Sequence, residues 1–196
     1  LLFTDCINKA DSFTRGACSH AIAGTSFIGI TNVIDSLTVI KQFVYDEKAI
    51  DMLTMLEALK NDWNGFEDIR AFILKKAEFF GNDSETSNYI AKLFADTVYE
   101  YTKDTTSLHG YHILFGNLQG YIPHHKYFGS KTKATPDGRH SGDMLKFGLG
   151  QSGGYDREGL SALLNSVAKC DEHGIISGAS SVTNVNIDEQ LIKTHD

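Results

Sequence analysis

The sequence predicts an α/β chain that is rich in helices and contains a few short strands. In the first half, apolar residues recur at helical spacing behind capping residues, whereas the second half places short extended stretches between Gly, Pro and His. With 196 residues, 41% hydrophobic and 22% charged, the chain is typical of globular proteins and unlike collagen, a coiled coil, a disordered segment or a disulfide scaffold.

Capping residues and apolar stripes predict five helices. Asp35 is expected to cap the first and Asp51 the second, while Gly81 is expected to end the third. The predicted helical segments are 35–46, 51–60, 66–80, 84–103 and 157–169. Extended segments are predicted at 111–115, 144–149 and 181–187. These strands are too few to close a sheet, so we expect part of the sheet to lie outside this sequence.

Charge and hydropathy exclude several classes of partner. The formal net charge is −7 and the basic residues are scattered, so no nucleic-acid surface is predicted. The sequence has no apolar window long enough to span a membrane and no basic segment at its start, so neither a membrane anchor nor a signal peptide is expected. The first residue is not Met, and the end at Asp196 closes no obvious element. We therefore expect a piece of a longer cytoplasmic protein.

The cysteines and histidines do not predict a metal site. Cys6, Cys18 and Cys170 are an odd number at spacings unlike those of zinc sites, which favours reduced, buried thiols. The histidines at 109, 112, 124 and 125 are close together in the sequence, yet no cysteine pair or carboxylate accompanies them at ligand spacing. Surface or supporting roles are therefore favoured, and no metal is expected.

The segment Gly148–Gly153 matches G-x-G-x-x-G, the pattern of dinucleotide-binding loops. A dinucleotide site also needs a buried strand directly before the pattern and a helix that begins inside it. Here the preceding run is short and contains Lys146, and the next predicted helix begins after Asp156. A glycine-rich loop is the favoured interpretation, and saturable binding of a dinucleotide would support the alternative.

Three stretches together resemble the glycyl radical enzyme family, whose members include pyruvate formate-lyase. The first is D-S-L-T-V-I-K at 35–41 with V-Y-D-E-K at 44–48, followed by G-N-D at 81–83. The second is A-T-P-D-G-R at 134–139, followed by S-G-D at 141–143. The third matches G-x-D-x-x-G-x-x-A-x-x-x-S-V-A-K at 154–169. Their order and spacing follow the family over about residues 1 to 188, although 146–151 and Leu160-Ser161 depart from its pattern.

This resemblance implies a fragment of a ten-stranded α/β barrel that encloses a catalytic cysteine loop and a glycyl radical loop. The family forms a thiyl radical, abstracts a hydrogen atom from a small organic substrate and breaks a C–C, C–O, C–N or C–S bond. Neither loop is recognisable here. Residues 1–196 are therefore expected to form a partial barrel domain without a catalytic residue, inactive alone. Its loops would lie before Leu1 and after Asp196.

The resemblance also implies partners and a compartment. The radical would be installed on the missing glycine by a radical S-adenosylmethionine activase, so no cofactor is expected on this chain. The full-length enzyme is expected to be a cytoplasmic homodimer. A competing hypothesis is a non-catalytic binding or assembly module with the same fold, and the flanking coding sequence would distinguish the two.

Two sets of candidate site residues follow. Pro136 fixes φ and Asp-Gly is a turn pair, so a tight corner is predicted after a strand. Asp137, Gly138 and Arg139 are the predicted structural residues of this corner. Asp35 is the predicted structural residue of the D-S-L motif. In the family, the strand before this corner and the glycine-rich segment before D-S-L approach the barrel interior. Ser26, Ala134 and Thr135 are therefore the candidate substrate contacts.

Overall fold

A computed structural model of the chain describes residues 4–12, 15, 17, 23–108, 110–111, 113–116, 122–146, 148–149, 155 and 157–170. The helices in these ranges are α1 (Thr4–Asn8), α2 (Ile30–Val39), α3 (Met52–Lys60), α4 (Glu67–Lys76), α5 (Glu85–Thr102), α6 (Ile122–Lys131) and α7 (Gly159–Cys170). A π-helical segment, Ile40–Asp46, continues α2. None of these helices combines the length and the apolar content that a membrane span requires.

The described strands, β1 (Ala23–Ser26) and β2 (Ile113–Gly116), pair in parallel. Their register places Ala23 opposite Ile113 and Ser26 opposite Gly116. Parallel neighbours need a crossover connection, and here the connection contains α2 to α5. The chain thus has the helix-rich α/β architecture predicted from its sequence, and β2 overlaps the predicted strand 111–115.

The start of α2 differs from the prediction. The helix begins at Ile30 behind Gly29, whose φ of 76° is left-handed, whereas Asp35 was predicted to be the N-cap. A Cβ on Gly29 would also lie 3.1 Å from Cδ1 of Leu145, so the leucine side chain would have to shift to accept one. Asp35 therefore lies inside the helix and is buried, and its prediction as a cap was wrong.

Most other helix predictions are confirmed within a few residues. Asp51 caps α3, since its carboxylate accepts a 3.0 Å hydrogen bond from the backbone N–H of Thr54. The helices α5 and α7 also match their predicted segments closely. In contrast, α4 ends at Lys76 rather than near Phe80, because Ala77 has extended backbone.

The largest differences lie around α6, which was not predicted. The described residues of 144–149 form no strand, because their backbone donors bind elsewhere. The N–H of Leu145 donates to the carbonyl of His125 in α6 (3.2 Å), and the N–H of Lys146 donates to Oδ1 of Asn32 (2.8 Å). The strand prediction for 144–149 was wrong, and the corner at 134–139 follows a helix rather than a strand. The predicted strand 181–187 lies outside the described residues.

Two apolar clusters form the core. The first contains Ile30, Ile34, Phe80, Ile90, Ala91, Ala95, Leu149 and Cys170. The second contains Val39, Phe43, Ile50, Met55, Ala58, Trp63, Ile73, Ala77 and Phe79. Because α2 contributes Ile34 to the first cluster and Val39 to the second, the intervening Asp35 lies in the interior between them.

Candidate functional site

The corner at 134–139 is closed by its own backbone. The N–H of Gly138 donates to the carbonyl of Thr135 (3.0 Å), and the N–H of Thr135 donates to the carbonyl of Arg139 (3.1 Å). Pro136 occupies the second position of this turn, where its fixed φ is favourable. Gly138 has a φ of 85°, and a Cβ there would lie 2.7 Å from Cδ2 of Leu74. The left-handed turn therefore favours glycine, and a side chain there would also displace that of Leu74 in α4.

The guanidinium group of Arg139 is directed at its own chain. Its Nη1 donates to the carbonyl of Asp143 (2.6 Å), and its Nη2 donates to the carbonyls of Thr132 (3.1 Å) and Lys133. Its Nε donates to Oγ1 of Thr135 (3.2 Å). The planar donor set therefore satisfies carbonyls around the end of α6, and the buried Arg139 braces the corner.

Asp137 is a buried acceptor at the centre of the corner. Asn32 donates to its Oδ2 from Nδ2 (2.7 Å), and the hydroxyl of Thr135 donates to its Oδ1 (2.5 Å). The ammonium of Lys146 lies 3.0 Å from Oδ2. The side chain of Asp137 is 0% exposed, so these partners replace the water that a carboxylate needs.

Asp35 approaches the same lysine from α2. Its Oδ1 accepts a 2.8 Å hydrogen bond from the N–H of Phe80, and its Oδ2 lies 2.7 Å from Nζ of Lys146. The three side chains of Asp35, Asp137 and Lys146 form what we call the ion triad. Lys146 is 14% exposed and Asp35 is 1% exposed, so the triad lies almost entirely inside the protein.

Burial and pairing act against each other on the titration of the triad. Burial raises the pKa of Asp35, and the charge of Lys146 offsets only part of this effect. Burial also acts to raise the pKa of Asp137, but the charge of Lys146 and the hydrogen bonds from Thr135 and Asn32 outweigh it and hold this pKa below its usual value. For Lys146, burial acts to lower the pKa, yet the two carboxylates outweigh it and raise the pKa. Lys146 therefore remains an ammonium group.

Two aromatic rings complete the surroundings of Lys146. Its Nζ lies 5.3 Å from the ring centroid of Phe79 and 5.7 Å from that of Tyr155. The two centroids are 4.8 Å apart. Lys146 was not among the predicted site residues, although it lies in the run before the glycine-rich segment and at the start of the stretch 146–151, which departs from the family pattern.

The structure divides the predicted substrate contacts between two places. Ser26 ends β1 and is exposed. Ala134 is half-buried against the second core cluster, and the hydroxyl of Thr135 bonds both Asp137 and Arg139. Thr135 thus lies with the predicted structural residues of the corner, and Lys146 connects that corner to Asp35. Ser26 lies apart from them, in the sheet.

Several histidines, cysteines and glycines considered in the sequence lie outside the described residues: His109, His112, Cys18 and Gly150–Gly153. Cys6 and Cys170 are buried, and neither forms a disulfide with another described residue; His125 is buried in α6. In the glycine-rich segment, the carbonyl of Gly148 accepts a 3.1 Å hydrogen bond from the hydroxyl of Thr31. Among the described residues, no group of His, Cys, Asp and Glu is arranged to hold a metal ion.

The sequence profile of the family described as "Pyruvate formate lyase-like" matches residues 1–118. A trans-4-hydroxy-L-proline dehydratase of Clostridioides difficile is 30% identical over 85% of this chain and 21% of its own length. An isethionate sulfite-lyase of Desulfovibrio desulfuricans is 31% identical over 85% of this chain and 20% of its own length.

A comparison of the fold with solved structures also finds glycyl radical enzymes. The glycerol-bound form of the B12-independent glycerol dehydratase from Clostridium butyricum has a TM-score of 0.80 and 32% identity, covering 97% of this chain and 25% of the dehydratase. The chain thus spans about a fifth to a quarter of the length of these relatives. A match over more than half of the sequence, together with this structural likeness, shows that the chain belongs to the pyruvate formate lyase-like family of glycyl radical enzymes.

Proposed function

We propose that this chain is a wall segment of a glycyl radical dehydratase or lyase that cleaves a C–O, C–N, C–C or C–S bond of a small organic substrate. The observation that carries the proposal is the structural likeness to the glycerol dehydratase, which covers 97% of the chain at a TM-score of 0.80. The dehydratase and lyase relatives support the reaction class.

The described residues fit a scaffold role. The triad, its partner Asn32 and the brace of Arg139 join α2, the corner and the segment after it through buried and partly buried hydrogen bonds. Such satisfied polar networks hold neighbouring elements in one arrangement. In the proposal, the catalytic cysteine and the radical glycine come from sequence outside this chain, and the chain alone is inactive.

Ser26, Ala134 and Thr135 are proposed as substrate contacts of this wall. Ser26 is the sharpest candidate, because it is exposed at the end of a parallel strand, and ligands of α/β sheets commonly bind beyond the carboxyl ends of strands. Its hydroxyl could donate to or accept from a polar substrate group.

The proposal is tested with the full-length protein, produced without oxygen together with a radical S-adenosylmethionine activase. Electron paramagnetic resonance should then show a glycyl radical. The substrates named for the relatives, trans-4-hydroxy-L-proline, glycerol and isethionate, form the first assay panel, followed by other small hydroxylated compounds. A protein that acquires no radical with a competent activase would contradict the proposal and favour the binding or assembly module.

A further inference from the structure

The surroundings of the Lys146 ammonium resemble a cation-binding site more than a single ion pair. Two carboxylate oxygens lie 2.7 Å and 3.0 Å from Nζ, one from Asp35 and one from Asp137. The rings of Phe79 and Tyr155 lie within 6 Å of the same nitrogen. We call these four side chains the cage. Carboxylates that accept from an ammonium, beside the negative faces of aromatic rings, are the groups that proteins use to bind organic cations.

The carboxylates of the cage are held by groups other than the lysine. Asp35 accepts from the backbone N–H of Phe80 (2.8 Å). Asp137 accepts from Asn32 (2.7 Å) and from the hydroxyl of Thr135. Each carboxyl group therefore keeps at least one hydrogen-bond donor when the ammonium is removed.

The backbone at Lys146 is also held independently of its side chain. Its N–H donates to Oδ1 of Asn32 (2.8 Å), and the preceding N–H of Leu145 donates to the carbonyl of His125 (3.2 Å). Farther along, Leu149 is buried in the first core cluster. Shortening the side chain at 146 should therefore leave the segment in place and open a space at the cage.

We propose that the cage is a binding site for a primary ammonium group, that Lys146 fills it as an internal ligand, and that a Lys146→Ala variant binds n-propylammonium there. The three carbons and the nitrogen of n-propylammonium replace Cγ, Cδ, Cε and Nζ of the lysine. Without the lysine, the buried carboxyl groups of Asp35 and Asp137 face the space with no cation, and an ammonium ligand can take the place of the lysine as their counter-charge whereas a neutral ligand cannot.

The test follows thermal unfolding of the full-length protein in n-propylammonium chloride, with sodium chloride at equal ionic strength and 1-propanol as ligand controls. Lys146→Ala should melt below the natural protein and regain melting temperature in a saturable manner with n-propylammonium, because a ligand of the folded state stabilises it by mass action. Lys146→Met fills the space without charge and should show no such gain. Lys41→Ala is the matched control, since Lys41 pairs with Asp46 at 2.6 Å and its side chain is 38% exposed, against 14% for Lys146.

An equal shift for Lys146→Ala and Lys41→Ala would overturn the proposal, and so would an equal shift with 1-propanol, which would indicate simple filling of a void. If Lys146→Ala does not fold on its own, the yield of folded protein after dilution from urea is measured instead. A higher folded yield with n-propylammonium than with sodium chloride is expected, and equal yields would overturn the proposal. Adding Asp35→Asn to Lys146→Ala should abolish the gain.

Discussion

The indole Nε1 of Trp63 donates a 3.2 Å hydrogen bond to the carbonyl oxygen of Arg139. Trp63 and the preceding Asp62 both have left-handed backbone, with φ of 67° and 53°, which is uncommon for residues with side chains. Asp62 accepts a 2.7 Å hydrogen bond from the N–H of Ser141. The connection between α3 and α4 thus adopts an unfavourable backbone conformation and binds the far side of the corner.

Trp63→Phe should destabilise the protein by about 1–3 kcal/mol, because it removes one buried hydrogen bond and part of a fully buried ring. Urea unfolding followed by circular dichroism measures the change. Tyr101→Phe, at a side chain that is 83% exposed, is the control and should leave the midpoint unchanged. Equal midpoints for Trp63→Phe and the natural protein would mean that the indole does not hold the corner.

Gly129→Ala should be destabilising although Ala favours helices. A Cβ at this position of α6 would overlap the carbonyl oxygen of Asp143 and lie 2.9 Å from Cα of Met144. These are backbone atoms, so the helix or the segment must move, which costs about 1–3 kcal/mol as overpacking. Lys126→Ala on the exposed face of the same helix is the control. A Gly129→Ala variant as stable as Lys126→Ala would show that α6 does not pack this closely.

Asp137→Asn should change the pH dependence of stability. Because the folded pKa of Asp137 lies below its ordinary value of 3.8, its charge stabilises the fold above about pH 4, and this contribution is lost as the pH falls through the lower folded pKa. Asp137→Asn should therefore be less stable than the natural protein at neutral pH, and the difference should shrink in acid.

Urea unfolding between pH 3 and pH 7 measures this difference, with Asp104→Asn as the control for loss of an exposed charge. The natural protein is needed as the reference because both proteins contain Asp35. The pKa of Asp35 is raised, so its ionisation lowers the stability of the fold as the pH rises, opposite to the effect of Asp137. A difference that stays constant across the pH range would contradict the assignment of a stabilising charge to Asp137.

Ser26→Leu tests the proposed substrate wall in the full-length enzyme. A larger apolar side chain at the end of β1 should abolish turnover while changing stability by no more than the roughly 1–3 kcal/mol of an overpacked site. Ser130→Leu, on the exposed surface of α6, is the matched control and should retain activity. Unchanged kinetics in Ser26→Leu would place the substrate elsewhere.

Local signals in the sequence predicted those helix ends whose hydrogen bonds involve only neighbouring residues. Asp51 predicts the start of α3 because a capping carboxylate needs only the next few backbone N–H groups. Asp35 has the same residue type and was predicted in the same way. There, the left-handed Gly29 starts the helix earlier and the carboxylate binds partners far along the chain, which no local pattern reveals.

The helix α6 and the ion triad were missed for the same reason. The sequence of α6 contains Pro123, two histidines and Gly129, which have weak helix propensity, and the close approach of Gly129 to the 143–145 backbone appears only in three dimensions. In the site, the two aspartates belonged to separate motifs. Their shared cation is 111 residues from Asp35 and was not part of either motif.

The long sequence separations between the triad residues and their hydrogen-bond partners also set an order of events during synthesis on the ribosome. Asn32 bonds Asp137 over 105 positions, and Asp35 bonds Lys146 over 111. Domains emerge from the ribosome with the N-terminal residues first, so the Asp35 carboxylate leaves it long before its counter-cation. All the members of the second cluster lie at or before residue 79, so this cluster can assemble early. The interior between the two clusters is completed late, and until then the nascent chain carries an unneutralised carboxylate at the centre of its future core.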